Sequence, residues 1–207
     1  MPKQGFLLAD VPKLFSTAND KPGWALCIGA GTSVPLFPDW YSLGSEMAKQ
    51  LVPETPFDVE ALKKSGFSPD SMIQMVKNAT DLNDLEFTMR MSNILYHKLQ
   101  SKISVEDWND VVDVLGANNI SNCSMEKWRL FSSYRDTVLK ETTAYQLAIA
   151  IMESIKQHNA PQCILSFNAE PLLFAMLNSL LADGRKQPPK KVFNKVISLS
   201  LIHISEP

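Results

Sequence analysis

A short apolar run that ends in Gly29-Ala30-Gly31-Thr32-Ser33 constrains this chain more than any other feature of its sequence. The run, Trp24 to Ile28, has the length and the residue types of a β-strand. Glycines at a strand end permit close approach to the backbone and unusual dihedral angles, and they expose amide donors that suit a pyrophosphate. Helical character in Leu43 to Leu51 then completes a strand, loop and helix unit.

A second strand, loop and helix unit follows much later in the chain. Gln162 to Phe167 is typical of a buried strand, and Pro171 stands at a helix-start position. Leu172 to Leu181 is strongly apolar until Gly184 ends it. Val192 to Leu201 is a candidate third strand.

The segment between these units, from Pro53 to about Asn159, carries helical signals. Helix starts are predicted at Ser68-Pro69, at Asp81 with Asp84, and at Ser104 before Asp107. Two apolar faces at helical spacing are expected to pack in the core. They consist of Trp108, Val111, Val112 and Leu115, and of Trp128, Phe131, Arg135 and Val138, where Arg135 is the one polar interruption.

Two strand, loop and helix units with a helical block between them predict an α/β fold. The expected sheet is parallel and Rossmann-like, with parts at about residues 20–52 and 160–198 and a large helical insertion at about 53–159. In such sheets, ligands bind at the carboxyl ends of the strands. Asn168 stands where the second strand ends.

The glycine segment does not fit the two commonest nucleotide-binding motifs. Val34 stands where the dinucleotide fingerprint of dehydrogenases needs a third glycine or alanine, and no helix follows at once. Thr32-Ser33 runs into Val34-Pro35 rather than ending in the Gly-Lys-Ser/Thr of the phosphate loop of nucleotide hydrolases. Hydride-transfer dehydrogenases, kinases and ATPases are therefore disfavoured.

Gly-Ala-Gly-Thr-Ser at 29–33, followed by Pro38-Asp39-Trp40, resembles the sirtuin-like superfamily, in which Gly-Ala-Gly-x-Ser precedes Pro-Asp and an aromatic residue. Ser166-Phe167-Asn168-Ala169-Glu170 resembles that superfamily's Thr-x-Asn-x-Asp element. Three positions depart from the family pattern. Ser166 replaces threonine, Glu170 replaces aspartate, and Tyr41 stands where the deacylase sirtuins carry arginine.

Deacylase sirtuins also hold a structural zinc ion with two pairs of cysteines between these motifs. This chain has Cys123 alone in that interval, so we expect the zinc module to be absent and predict no metal site. A helical block in its place resembles the sirtuin-like domains of bacterial antiviral defence proteins. That resemblance implies an NAD+ hydrolase that cleaves the nicotinamide glycosidic bond, and a homo-oligomer in the full-length protein.

The resemblance also implies a site for NAD, as substrate or ligand. Asn168 is the catalytic candidate, positioning water or the ribose hydroxyls. Asp39 either binds the ribose or nicotinamide or forms a turn, and Thr32 and Ser33 either bind the ligand or cap the turn. Glu170 either replaces the family's acidic ligand or favours the amino end of the next helix. The predicted NAD-binding residues are Gly29, Ala30, Gly31, Thr32, Ser33, Pro38, Asp39, Trp40, Ser166, Asn168 and Glu170.

Sirtuin-like enzymes use a histidine after the third strand, which suits proton transfer near neutral pH. His97 and His158 lie in helical segments and are expected at the surface, and His203 lacks the glycine that follows the family's histidine. Residues 199–207 resemble the translation of a sequencing-library adapter. We therefore expect the native sequence to stop near Ser198 and this chain to be an inactive fragment, which an independent read of the gene would test.

Composition narrows the choice of partners. Lys and Arg total 20 against 22 Asp and Glu, with no run of like charges, so neither nucleic acid nor a membrane surface is indicated. Three widely spaced cysteines fit reduced core thiols of a cytosolic protein. The chain shows neither a signal-peptide pattern nor an apolar run of bilayer length, so a cytoplasmic location is expected.

Two other functions fit the same sequence. A non-catalytic module that senses NAD or ADP-ribose is favoured by the altered Ser166 and Glu170 and by the missing histidine. An interaction scaffold that retains the fold would use the helical block from Pro53 to Asn159 as its working surface.

Overall fold

The computed structural model describes residues 25–55, 57–117, 120–157, 161, 163–168, 170–185 and 196–198. These residues are mostly helical and contain a parallel β-sheet. The strands are β1 (Ala25–Ile28), β2 (Cys163–Ser166) and β3 (Val196–Ser198). The helices are α1 (Trp40–Leu51), α2 (Val59–Lys64), α3 (Pro69–Asn78), α4 (Asp84–Gln100), α5 (Val105–Leu115), α6 (Met125–Thr137), α7 (Thr143–Lys156) and α8 (Leu172–Ala182). Single 3-10 turns span Ala30–Thr32, Ile120–Asn122 and Leu139–Glu141.

The sheet has the order β1-β2-β3, and both neighbouring pairs are parallel. Parallel strands need a crossover connection, and helices α1 to α7 separate β1 from β2 along the chain while α8 separates β2 from β3. The arrangement agrees with the predicted α/β class. Ile28 pairs with Ser166 at the last position of both strands. The loops after β1 and β2 therefore leave the sheet at the same edge.

The chain divides into two compact units. One lies within residues 34–102 and contains α1 to α4. The other combines the described parts of 1–33 and 103–207, and it contains the sheet and α5 to α8. The predicted bounds of the helical insertion, about 53–159, stay a prediction.

Side-chain caps fix where several helices begin. Ser68 accepts a hydrogen bond from the amide of Ser71 at 3.1 Å, and Ser104 accepts one from the amide of Asp107 at 3.1 Å, which confirms both predicted starts. The start predicted at Asp81 is wrong. Helix α4 begins at Asp84 because Asn83 and Glu86 form a reciprocal capping box.

The core of the sheet-containing unit is built around α8 and α6. Trp128 and Phe131 of α6 are fully buried with their rings edge to face, and the Trp128 indole N–H donates to the carbonyl of Ile120 at 2.8 Å. On α5, Val111 and Leu115 are buried as expected. Val112 is 39% exposed, so the predicted face was too wide. One residue advances a helix by about 100°, which carries Val112 out of the stripe that Val111 and Leu115 bury.

The cysteines only partly match the expected core thiols. Cys27 on β1 is exposed, whereas Cys123 is buried and donates from its sulfur to the carbonyl of Asp113 at 3.4 Å. Burial raises the pKa of the Cys123 thiol. Among the described helices, none is long and apolar enough to cross a membrane.

Candidate functional site

The shared carboxyl edge of β1 and β2 brings the two predicted halves of the site together. The glycine segment begins directly after Ile28, and Asn168 and Glu170 follow Ser166 closely. Phe167 extends the pairing, since its amide donates to the carbonyl of Ile28 at 2.9 Å. Residues more than 130 positions apart in sequence therefore lie side by side.

The glycine segment forms a 3-10 turn. The amides of Thr32 and Ser33 donate to the carbonyls of Gly29 and Ala30 at 3.1 and 3.3 Å, and the Thr32 hydroxyl donates to the Gly29 carbonyl at 3.0 Å. This contact matches the turn-capping alternative for Thr32, and its role in ligand binding stays a prediction. The hydroxyl of Ser33 instead reaches across to Glu170.

Backbone conformation does not require glycine at either position of this turn. Gly29 is extended, with φ of −128° and ψ of 176°, and the positive-φ glycines among the described residues are Gly66 and Gly184. The positive-φ freedom that glycine permits is therefore not used at Gly29 or Gly31. A Cβ atom placed on Gly29 or Gly31 would meet no protein atom within 4 Å. The two glycines border open space that a ligand can approach closely.

Asn168 is the centre of the cluster and is 1% exposed. Its side-chain Nδ2 lies 2.9 Å from Oγ1 of Thr32, 3.2 Å from Oγ of Ser33 and 2.9 Å from Oε1 of Glu170. Its backbone amide donates to Oγ of Ser166 at 3.3 Å. The side-chain amide thus has two hydrogens for three acceptors, so one hydrogen is shared between two of them. The longest of the three contacts, to Ser33, is the one made by the shared hydrogen.

The other polar atom of the same side-chain amide, Oδ1, has no partner among the described residues. Oδ1 of Asn168 is buried and accepts no hydrogen bond from the described residues. Leaving a buried acceptor unsatisfied costs about 1–3 kcal/mol, so such an atom marks a place where a donor from water or a ligand stabilises the site. The described residues therefore hold the Asn168 side chain through hydrogen bonds from Nδ2, and Oδ1 is left to accept a hydrogen bond from another group.

Glu170 is a buried carboxyl group, 3% exposed, without a cationic partner among the described residues. Oε1 accepts hydrogen bonds from the Ser33 hydroxyl and from Nδ2 of Asn168, and Oε2 accepts one from the backbone amide of Leu172 at 2.6 Å. Burial raises its pKa to about 7, while these three hydrogen bonds lower it. The contact with Leu172 matches the predicted helix-start role, and the contacts with Ser33 and Asn168 add a second role inside the cluster.

Pro38, Asp39 and Trp40 belong to the unit within residues 34–102. Asp39 caps α1, accepting from the amide of Ser42 at 2.8 Å, so the helix begins at Trp40 rather than near Leu43. Asp39 also lines an open cavity of about 690 Å³ in that unit, together with Tyr41 and Lys63, whose ammonium group lies 4.8 Å from the centre of the Tyr41 ring. The predicted role of Pro38, Asp39 and Trp40 in NAD binding stays a prediction.

Of the three histidines, the structure describes His97. It is exposed in the last turn of α4, as the sequence predicted for a surface residue. His158 and His203, and the tail at 199–207, lie outside the described residues. Among the residues that are described, no three His, Cys, Asp or Glu side chains group closely enough to hold a metal ion.

Comparison of the chain with protein-family models, with curated proteins and with solved structures gave no match. The groups of the cluster themselves define its chemistry. Asn168 Oδ1 and the Glu170 carboxylate are acceptors, and both are shielded from bulk water. These two acceptors lie in a low-dielectric environment, which suits a ligand that carries hydroxyl or amide donors. The open space at Gly29 and Gly31 lets such a ligand approach the backbone closely.

Proposed function

We propose that this chain is the NAD-handling part of a sirtuin-like protein that hydrolyses NAD+ at the nicotinamide glycosidic bond, with a Rossmann-like sheet as its framework. The observation that carries the proposal is the position of Asn168. Its side chain is buried between Thr32, Ser33 and Glu170, all members of the two motifs that resemble the sirtuin-like superfamily. Its Oδ1 is left as an acceptor.

The proposed reaction balances with water as the only co-reactant. The bond between the anomeric carbon of the ribose and the nicotinamide nitrogen breaks, and its electron pair leaves with nicotinamide, which becomes neutral. The water oxygen bonds to the anomeric carbon, giving ADP-ribose, and one proton is released. Asn168 Oδ1 is suited to accept a hydrogen bond from that water or from a ribose hydroxyl, which orients the reactants. The Glu170 carboxylate adds negative potential next to positive charge developing on the ribose.

The open space beside Gly29 and Gly31 supports the proposal that the diphosphate of NAD binds next to this turn. A dinucleotide diphosphate needs close approach to backbone amides, and side chains at these positions would fill the space. In this proposal the full-length protein is a cytoplasmic, homo-oligomeric protein of the bacterial antiviral defence type.

The experiment is a measurement of nicotinamide release by chromatography, made on the protein encoded by the independently read gene. Asn168→Ala should lower turnover by about 100-fold, the usual effect of losing a group that orients the reactants. Asn178→Ala is the matched control, because Asn178 is also a buried asparagine, 3% exposed, on α8. Equal turnover in wild type and Asn168→Ala, with both folded, would remove Asn168 from the mechanism.

A non-catalytic NAD or ADP-ribose sensor is the second candidate. It is favoured by the hydrogen bonds of Glu170, because both carboxylate oxygens accept from groups of the protein: Ser33, Asn168 and Leu172. A carboxylate that is bound in this way by the protein has a structural role without any reaction. A sensor should show a rise in melting temperature with NAD or ADP-ribose and no nicotinamide release. Turnover that depends on Asn168 would exclude it.

A further inference from the structure

We propose that Glu170 is a positioning residue that fixes the orientation of the Asn168 carboxamide, so that Oδ1 rather than Nδ2 is presented to a ligand. Its consequence for ligand binding at Asn168 rests on the proposed function. The orientation itself can be tested without any ligand.

The shape of the Asn168 carboxamide does not by itself fix which way the group is turned. An asparagine carboxamide has nearly the same shape when its oxygen and nitrogen exchange places, so its orientation is decided by its hydrogen-bonding partners. The hydroxyls of Thr32 and Ser33 do not decide it, because a hydroxyl can donate or accept. Each of these hydroxyls lies near Nδ2, at 2.9 and 3.2 Å.

Glu170 removes that ambiguity. An ionised carboxylate only accepts, so Oε1 at 2.9 Å from the Asn168 amide requires nitrogen on that side. The same oxygen also takes the Ser33 hydroxyl proton, which turns the Ser33 oxygen into an acceptor facing Nδ2. The Thr32 hydroxyl proton is used by the Gly29 carbonyl, which leaves the Thr32 oxygen as an acceptor too. Every partner then requires the nitrogen, and the oxygen is left for the ligand.

The carboxylate is itself held in place. Oε2 accepts from the amide of Leu172 at 2.6 Å, at the start of α8. Because one oxygen is fixed by backbone and the other by two side chains, Glu170 cannot swing towards solvent without breaking all three hydrogen bonds. Its 3% exposure agrees with such a locked position.

Among the described residues, no charged group pairs with the carboxylate. The turn at 30–33 and helix α8 contain no titratable residue, the described segment 163–168 contains no charged one, and Cys27 on β1 is exposed.

Two further helices pack close to this carboxylate. Helix α6 packs against α8, and its buried Arg135 is paired with Asp136 and Asp183. Helix α7 packs against both α8 and the turn. Its titratable residues are Tyr145, Glu153 and Lys156, of which the last two pair with each other at 2.7 Å on the surface. The protonation of Glu170 is therefore reported most directly by the Asn168 amide.

The test is a pH titration of the side-chain amide resonances of Asn168 in the ¹⁵N-labelled 207-residue chain, assigned by their loss in Asn168→Ala. They should shift with a midpoint near the Glu170 pKa of about 7, because a protonated carboxyl can no longer accept from all three donors. The shift should vanish in Glu170→Gln. Ser33→Ala should keep it and move its midpoint upward, since the Ser33 hydroxyl lowers the pKa of Glu170. The amide of Asn178, on the same helix as Leu172, is the internal control and should not follow this titration.

The outcomes separate this inference from the proposed function. If the Asn168 amide does not titrate in wild type, Glu170 does not set its orientation and the inference is overturned, whether or not Glu170→Gln folds. NAD affinity, measured by calorimetry above the midpoint, should fall by about tenfold in Glu170→Gln, the effect of losing one charge-assisted contact. A coupled titration in a chain that binds no NAD would support the positioning role and defeat the NAD proposal. NAD binding by a chain whose Asn168 amide does not titrate would support the NAD proposal and defeat the positioning role.

Discussion

The side-chain nitrogen of Asn168 lies 2.9 Å from Oγ1 of Thr32, although 136 positions separate the two residues in the sequence. This contact joins the loop after β1 to the loop after β2, and Glu170 and Ser33 close the same cluster from the two sides. The cluster thus depends on the parallel register that places Ile28 beside Ser166. Ser33, Asn168 and Glu170 are buried and Thr32 is half-buried, and among the described residues Asn168 Oδ1 is the atom of this cluster without a hydrogen-bond partner.

Replacing Asn168 by aspartate should destabilise the fold more at alkaline than at acidic pH. The new carboxylate cannot donate to Glu170 Oε1, which lies 2.9 Å from the present Nδ2, and two buried like charges repel. We expect a loss of roughly 3 kcal/mol in the free energy of unfolding at alkaline pH, from the broken contacts and the repulsion. Urea unfolding at two pH values measures it. A loss that is the same at both would argue against contact between residues 168 and 170.

Glu170 should make the chain less stable as pH rises through the weakly acidic range. Its pKa is about 7 in the folded chain, against an ordinary value of 4.5. Between these values the folded chain keeps a proton that the unfolded chain has released, so the free energy of unfolding falls with rising pH and levels off above about 7. This contribution is at most on the order of 3 kcal/mol.

The comparison that isolates this effect is wild type against Glu170→Gln, since glutamine does not ionise. Other titrating groups contribute equally to both proteins, so the difference in their unfolding free energies should change with pH only in the window between the two pKa values. Chemical denaturation across that window is the measurement. Parallel pH profiles for the two proteins would show that Glu170 has an ordinary pKa.

The glycines should divide into two groups when each is changed to alanine. Gly29 and Gly31 have open space at the Cβ position and no positive φ, so alanine there should change stability by less than about 0.5 kcal/mol. If a diphosphate approaches this turn, the same changes should weaken NAD binding by about tenfold or more. Unchanged binding in both variants would place the ligand elsewhere.

Gly66 and Gly184 are the matched controls for the conformational argument. Their φ values are +83° and +72°, a region in which a Cβ atom is strained, so alanine should cost about 1 kcal/mol or more at each. Thermal unfolding of the four alanine variants compares the two groups directly. A cost at Gly31 as large as that at Gly184 would mean that the turn needs glycine for folding.

Arg135 should matter to the fold through its buried position rather than through any one ion pair. It is 4% exposed, and its guanidinium contacts Asp136 and Asp183 at 2.8 and 2.9 Å and donates to the Ser179 hydroxyl at 3.1 Å. Arg135→Ala should lower the free energy of unfolding by about 3 kcal/mol. Asp183→Asn should cost less than about 1 kcal/mol, because this side chain is half exposed and Asp136 remains as a partner. Equal losses in the two variants would contradict this ranking.

Local structure was predictable where the signal is local. Ser68 and Ser104 mark helix starts because a hydroxyl that accepts from an amide three residues ahead acts within one turn. The strand before Gly29, the strand before Asn168 and the apolar helix that ends at Ala182, shortly before Gly184, also appear as expected. The start at Asp81 and the core position of Val112 were wrong because several residues satisfied the same local pattern.

The sequence by itself determined the order of the elements and the residue types at the ends of β1 and β2, since strand length, glycines and caps are encoded in neighbouring residues. Only the tertiary structure decided that Nδ2 of Asn168 meets Thr32, Ser33 and Glu170 while Oδ1 has no partner among the described residues. It also decided that Glu170 is buried with no cation beside it in the described part of the chain, and that Asp39 caps α1. The physical reason is that the contacts around Asn168 follow from strand register and side-chain packing, and these depend on groups distant in sequence whose pairing no local pattern specifies.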